Sequence, residues 1–585
     1  MALAFCLPFV LGRAQRGAFD TPVHLFFADH YRQTWWSLWE PRWYLGFSVA
    51  SYPPLTHQLI ALGSWPMSAL IAAFAPGPEP YPGAFRWWGA EAVFVGLLLA
   101  VAALLPVAVR AYARIFVGPR AAAWAATLAV ALPALHLAAW SFGQLPTLAA
   151  TTVILLALAR GVDFVHSGRR AALAQAIALA AVAAATHHAV FLFVPFAAGA
   201  GLAQLWVRRR AAAAPVRLVQ LARSALWGAA SALVVALVLW PFLQWSQGQR
   251  LQTPIDHLSR HNFLLDPVAT LYFFWPVYGP LLLLIPSLWR WRSARRWPLA
   301  AAWALLFCLS LGGTTPLPRW LFGAGWEWLT YDRFGLWAAI LFLPVAGAAL
   351  PAAWRRAPGW ALAWTASLAA ASVLAGWLAG LAQAQPPPVD MASLARFLNE
   401  PAQRPYRYLT LGFGDQLAQL SAVTANGTPD GTYHTARGLP ELRASGLGAL
   451  DTAVWSPLGA AAVKPFLENP QRYGVRWVFA HHPAYVPVLL DTGWRFRFFI
   501  GPVMVWERAD VRPLPLTPPA EDRFAAAWWG TAPLTALALA ALALAWPGRR
   551  WLTRARVVAA LAWLRRAGWV FTFALLALWW VYRVR

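Results

Sequence analysis

Apolar stretches of about 17–25 residues recur along nearly the whole chain, the length a helix needs to cross the hydrocarbon core of a bilayer. In lipid every backbone N–H and C=O must find its partner inside the segment, so such stretches admit helices and little else. Of the 585 residues, 60% are apolar or aromatic and 12% are charged, against roughly 25% charged in an ordinary soluble domain. A soluble enzyme, a disordered chain and a fibrous protein are therefore excluded. Spans are read near residues 1–12, 87–109, 121–139, 145–160, 171–187, 189–206, 225–245, 268–290, 298–312, 334–354, 360–384, 526–546 and 567–583. The expected fold class is an all-α polytopic membrane protein of about 13 transmembrane helices, with one small α/β domain outside the bilayer.

The net charge of +25 would suit a nucleic-acid partner, but its placement argues for none. Every basic residue except Lys464 is arginine, and 23 arginines fall in six linkers: 110–120, 160–170, 208–223, 290–296, 355–356 and 549–566. Those linkers hold a single acid, Asp163. Cytoplasmic loops carry the positive excess, so this set is placed in the cytoplasm. All but two of the 22 acidic residues, Asp163 and Glu91, then fall on the opposite side or its loops. Tryptophans such as Trp87, Trp88, Trp240, Trp528 and Trp529 flank the apolar blocks, as an interfacial belt does. Cys6 and Cys308 lie inside apolar blocks, which gives neither a disulfide framework nor a cysteine metal pattern.

The alternation of sides makes 13–86 one long outer loop and 55–75 a helix at the outer interface rather than a crossing. The first stretch is short for a span and reads as a tilted stub or the rest of a longer one. Residues 386–524 differ in kind, opening on Pro386-Pro387-Pro388 and continuing with polar turns. Strands are expected at Tyr406–Phe413 and Val475–Phe479, with a hairpin of Phe496–Ile500 and Val503–Trp506 across Gly501-Pro502. Asp390 is placed to cap a helix running to Asn399. The expected division is a helical core over 1–385, an extracytoplasmic α/β domain over 386–524 and a closing pair of spans in 525–585. No internal repeat is visible, which disfavours an inverted-repeat transporter.

Outside the bilayer there is no nucleotide-activated donor. An enzyme there must draw on lipid carriers, with an acid or base at the membrane surface and cations for a lipid phosphate. The outer loop offers Asp20, His24 at i+4 from it, Asp29, His30, Arg32, Glu40, Arg42, Tyr52 and His57. For Asp29, His30 and Arg32 a solvated, charged loop is the simpler reading. Gln144 lies in SFGQLPT, and the pair His187-His188 sits where two apolar blocks meet. Polar residues at membrane depth are costly and point to function, although such a pair can also cap carbonyls. The linker 246–267 carries Arg250, Asp256, His257, Arg260 and His261, and a further linker ends in Asp332-Arg333. The His481-His482 pair lacks a third ligand at metal spacing, and no P-loop, zinc or Ser-His-Asp pattern occurs.

These pieces taken in order resemble the first outer loop and core of integral membrane glycosyltransferases of the GT-C fold. The matching elements are Asp20 with His24, Pro41-Arg42-Trp43 with Gly46, Tyr52-Pro53-Pro54-Leu55, Gly143 to Thr147, Thr186-His187-His188, Thr315-Pro316-Leu317 and Asp332-Arg333-Phe334. More narrowly they resemble the bacterial and archaeal membrane family labelled 6-pyruvoyl-tetrahydropterin-synthase-related. The stretch 473–494 is similar to the outer domain that follows such cores.

The resemblance implies inverting transfer of a sugar from a polyprenyl-phosphate donor to a glycan, lipid or protein acceptor on the outer face of the plasma membrane. Asp20 matches the general-base position and Glu40 a second acid. Arg42, Arg250, Arg260 and Arg333 would hold the donor phosphate. His24, Tyr52, His57, Gln144, His187, His188, His257 and Asp332 would shape the site or meet the acceptor. A divalent metal is possible, but Thr21 follows Asp20 where some relatives carry a paired acid. Two other classes stay open: a glycolipid flippase, which would need polar residues deep in the spans, and a non-catalytic scaffold, which would need no gathering of acids and histidines.

Overall fold

The computed structural model describes residues 1–209, 213–249, 251–291 and 296–545. Arg250, the linker 549–566 and the span expected at 567–583 lie outside the described residues.

Among the described residues, seven helices are long and apolar enough to cross a bilayer: Ala84–Ala113, Leu145–Ser167, Ala214–Val238, Pro267–Trp289, Asp332–Arg356, Pro358–Leu381 and Arg523–Ala545. An eighth results if Pro119–Val130 and Pro133–Ser141, bent by 41° at their junction, form one span. Helices of this number, length and apolarity make the chain a multi-pass membrane protein. Three more apolar helices, α1 (Ala2–Leu11), Arg170–Thr186 and Trp297–Ser310, are shorter. Fewer full-length crossings are therefore described than the thirteen apolar stretches suggested.

The breaks have local causes. Leu132 precedes Pro133 and is held extended at φ −87° and ψ 115°, as a residue before proline tends to be. The helix Arg170–Thr186 stops where His187 becomes extended. Asp332–Arg356 is the most enclosed of the seven. Gly347 lets it touch Pro119–Val130, since a Cβ there would lie 2.4 Å from the Ala121 carbonyl.

The loop 13–86 is ordered around α2 (Thr21–Gln33), a two-residue hairpin of β1 (Trp39–Glu40) and β2 (Phe47–Ser48), and α3 (Leu55–Phe74). α3 is not among the helices apolar enough to cross. It packs on α2 and on Ala84–Ala113. The hairpin turns at Gly46, at φ +104°, where a Cβ would strike the Trp39 ring.

Residues 386–524 hold a mixed four-stranded sheet of order β3-β4-β6-β5. β3 (Arg407–Leu411) runs parallel to β4 (Val475–Ala480). β6 (Val503–Glu507) is antiparallel to β4 and to β5 (Arg495–Ile500). Asp390 accepts the Ser393 N–H at 3.1 Å to cap the helix Met391–Asn399. Leu394, Leu398, Phe413, Leu417, Leu420, Phe479, Val503 and Val505 pack together as the core of this segment. Its helix Gln416–Val423 packs against α2, which brings the sheet segment to the site.

Candidate functional site

Asp20 stands at the N-terminus of α2, which Pro22 starts with its preset backbone. The Asp20 carboxylate does not cap the helix. Its backbone N–H donates to the Phe142 carbonyl at 2.9 Å, and Gly143, at φ +72°, allows this contact. A Cβ on Gly143 would lie 2.7 Å from the Thr21 nitrogen. The same turn carries Gln144, whose Nε2 donates to Asp332 Oδ2 at 2.8 Å. One irregular junction, 142–145, thus joins the start of α2 to the start of Asp332–Arg356.

Burial pushes the Asp20 carboxyl up to about 7; Asp415 and Asp332 add to this, while Arg333 opposes it. Around it the rings form a chain. His24 Nδ1 and His57 Nε2 share a hydrogen bond at 3.1 Å. Burial, and then the charge of Arg333, lowers His24 to about 3, and burial lowers His57 as well. Tyr52 meets His57 edge-on at 5.1 Å and stacks on His187 at 5.4 Å and 5°. His187 adjoins His188 at 5.6 Å, and His188 packs on Phe242. From the far side, Ser259 Oγ accepts the Tyr331 N–H at 2.9 Å and hydrogen-bonds with His257 Nδ1 at 2.8 Å. That ties linker 251–266 to Asp332-Arg333.

Arg333 sits among these groups, its charge acting on Asp20, His24, Tyr52, His187, His188 and His257. Its Nε is buried and finds no hydrogen-bond partner in the protein. The same holds for both ring nitrogens of His187, for Nδ1 of His188 and of His57, for Thr21 Oγ1 and for Asp332 Oδ1. Buried polar atoms are satisfied in the large majority of cases. Seven such atoms fall on the groups about Arg333 and Asp20, which leaves polar capacity there for a ligand.

The structure does not bring Glu40 and Arg42 to this cluster. Both are buried, and Arg42 Nε and Nη2 donate to the two Glu40 oxygens at 2.7 Å each. Arg42 Nη1 also donates to Asp29 Oδ2 at 2.6 Å, and Glu40 Oε2 pairs with His30 Nδ1 at 3.0 Å. Burial raises the Glu40 carboxyl, but Arg42 overcomes that and holds it well below the usual range. Asp29 and His30 are therefore interior residues, not a solvated loop. Arg32 is engaged by Ser64 and Ser68 hydroxyls. Arg260 is near the cluster but is turned to the backbone carbonyls of Leu329 and Ile255.

Three residues of the sheet segment join the site with no sequence signal to mark them. Tyr433 donates its hydroxyl to the Ser51 carbonyl at 3.0 Å and packs on Tyr52 at 5.3 Å. His434 feels the charges of Arg437, His257, Arg260 and Arg333. Asp415 neighbours Asp20. The His481-His482 pair does no such work, since His482 Nδ1 accepts the Ala484 N–H and closes a turn. Among the described residues no three His, Cys, Asp or Glu side chains converge as metal ligands.

The molecule this site belongs to is a mostly helical, multi-pass membrane protein with an ordered first loop and a sheet-bearing segment folded onto it. No family model matches the chain, and no curated protein matches it. Solved structures similar to it include an oligosaccharyltransferase from Archaeoglobus fulgidus in complex with Zn and sulfate. That match has a TM-score of 0.42 and 14% identity and covers 81% of this chain and 65% of the other. ArnT from Cupriavidus metallidurans bound to undecaprenyl phosphate gives a TM-score of 0.46 at 14% identity, covering 88% and 98%. The A. fulgidus enzyme in its apo form gives 0.47 at 11%, covering 87% and 74%. The chain thus spans 65% of the length of the first of these.

Proposed function

We propose that the protein is a membrane glycosyltransferase of the GT-C kind, moving a sugar from a polyprenyl-phosphate donor to an acceptor on the extracytoplasmic face with inversion. The observation that carries this reading is the cluster of unsatisfied buried polar atoms around Arg333, with Asp20 beside it. The resemblance of the loop motifs, with the narrower likeness to the 6-pyruvoyl-tetrahydropterin-synthase-related family, points the same way.

In this reading Asp20 accepts the proton of an acceptor hydroxyl. The hydroxyl oxygen bonds to the anomeric carbon, the carbon–phosphate-oxygen bond breaks, and the bonding pair leaves on the donor phosphate. A base that titrates near neutral pH suits that step. Arg333 holds the phosphate as a charge-assisted donor, and His187 and His188 offer further polar contacts. Gln144 fixes Asp332, which orients Arg333. The helices hold the prenyl chain, and the outer domain 386–524 roofs the site through Tyr433 and His434. Glu40 and Arg42 brace the loop instead of touching substrate.

The test is turnover of a panel of polyprenyl-phosphate monosaccharides by the purified protein in nanodiscs, read as released polyprenyl phosphate. Release that Asp20→Asn abolishes supports the reading. Release unaffected by both Asp20→Asn and Arg333→Ala places the chemistry elsewhere.

A further inference from the structure

The loop Gly412–Asp415 leads from β3 into the helix Gln416–Val423 and is held in a defined shape. Gly412 and Gly414 lie at φ +87° and +61°, conformations that glycine alone adopts without strain. The buried Asp451 carboxylate accepts the N–H groups of Phe413 at 3.1 Å and Gly414 at 2.6 Å. Asp415, next in sequence, does not cap its own helix. Instead Gln385 Nε2 donates to its Oδ2 at 2.7 Å, while Gln385 Oε1 accepts the Asp415 N–H at 3.4 Å. One amide thus holds both the carboxylate and the backbone N–H of Asp415.

The helix that follows is pinned along α2. Trp43 Nε1 donates to Ser421 Oγ at 2.9 Å, and Arg42, which holds Asp29 late in α2, reaches the Ser421 carbonyl. The late end of the one helix thus lies by the late end of the other. Its beginning, at Asp415, is held by Gln385, which follows six residues after Ala379; the Ala379 N–H donates to Ser141 Oγ at 3.2 Å, next to the Phe142 carbonyl that accepts the Asp20 N–H at 2.9 Å, which sets this end toward the beginning of α2. After burial, Asp415 is the largest influence on Asp20, ahead of Arg333 and Asp332.

We propose that Asp415, carried by the sheet segment, is a positioning residue whose carboxylate is set against Asp20, so that seating this segment on α2 tunes the base. The proposal rests on the reading of Asp20 as the base. A carboxylate beside a second carboxylate holds its proton more tightly. The charged and titratable groups that bear on Asp20 are Asp415 from the sheet segment, itself raised by burial to about 6, Arg333 and Asp332 from the helix Asp332–Arg356, Tyr52 from the outer loop, and the neutral His24 one turn along α2. Burial is the largest influence raising Asp20, and Asp415 adds to it against the opposing charge of Arg333. The Gln385 amide keeps Asp415 at the right distance, and Asp451 keeps the loop that delivers it.

The experiment is an infrared titration of the full-length protein in nanodiscs. The Asp20 carboxyl band is isolated as the difference between parent and Asp20→Asn. The same difference is then taken in an Asp415→Asn background. The Asp20 midpoint is expected to fall by about one pH unit when Asp415 loses its charge, and Asp415→Glu is expected to restore it. The acid limb of sugar release should move by the same amount. An unmoved midpoint in Asp415→Asn overturns the proposal. Asp415→Ser serves as a second uncharged variant should the asparagine fold poorly. Should Asp20→Asn still transfer sugar, the base assignment fails, while the midpoint shift still decides whether Asp415 acts on Asp20.

Discussion

Replacing Asp20 with asparagine removes a charge the fold does not favour, so the variant is expected to be more stable than the parent at alkaline pH. Burial and the two neighbouring acids raise the carboxyl from 3.8 to about 7. At about 1.4 kcal/mol per unit, roughly three units set a ceiling of about 4 kcal/mol. Asp20 keeps part of its surface open, so solvent screening reduces this to about 1–2 kcal/mol. The sign follows from proton linkage. Between about pH 4 and 7 the folded state binds more protons at this site than the unfolded state, so stability falls as pH rises through that window. Above about 7 the whole penalty is present, and below about 4 none of it is.

Asp20→Asn should therefore melt about 1–2 °C above the parent at pH 8, with the gain shrinking toward zero as pH falls to 4, while sugar transfer is lost. Intrinsic fluorescence melts in nanodiscs across pH 4–8, run on both proteins, measure it. A loss of stability at pH 8, or a gain that does not vary with pH, would refute the reasoning, because either means that the Asp20 charge is not the unfavourable element.

Arg333→Ala should weaken binding of a polyprenyl-phosphate sugar by about 10–150-fold, the range of about 1.5–3 kcal/mol for a lost charged contact. Arg260→Ala should change it far less, since that side chain is held by backbone carbonyls; binding titrations of the two variants decide. Arg42→Ala leaves the buried Glu40 without its arginine and Asp29 with only the longer contact to Arg86 at 3.4 Å, and should cost about 3–5 kcal/mol of stability, read as a lowered melting temperature with donor affinity unchanged in the folded fraction. Gly143→Ala demands both a left-handed alanine and a shift of Thr21, so it should lower turnover at least as sharply as it lowers melting temperature, measured on one preparation.

Membrane character was legible from the chain alone because lipid imposes a length and a composition on each crossing, and both are written locally. The same is true of the strands at Val475–Phe479 and Val503–Trp506 and of the Asp390 cap, where neighbouring residues decide the outcome. The gathering of acids and histidines was also visible in order along the chain, but its sorting was not. Glu40 and Arg42 read as candidates equal to Asp20 and Arg333. Only the folded hairpin shows that Glu40 meets Arg42 across one residue, with His30 and Asp29 closing the network, whereas Arg333 is left with an unsatisfied nitrogen. Asp415, Tyr433 and His434 carried no signal, because their role comes from the seating of the helix Gln416–Val423 on α2, nearly four hundred residues away in sequence. Local rules set which segments are helix or strand. Which polar side chains end up satisfied and which are left facing a ligand depends on contacts between distant segments, and those exist only in the tertiary structure.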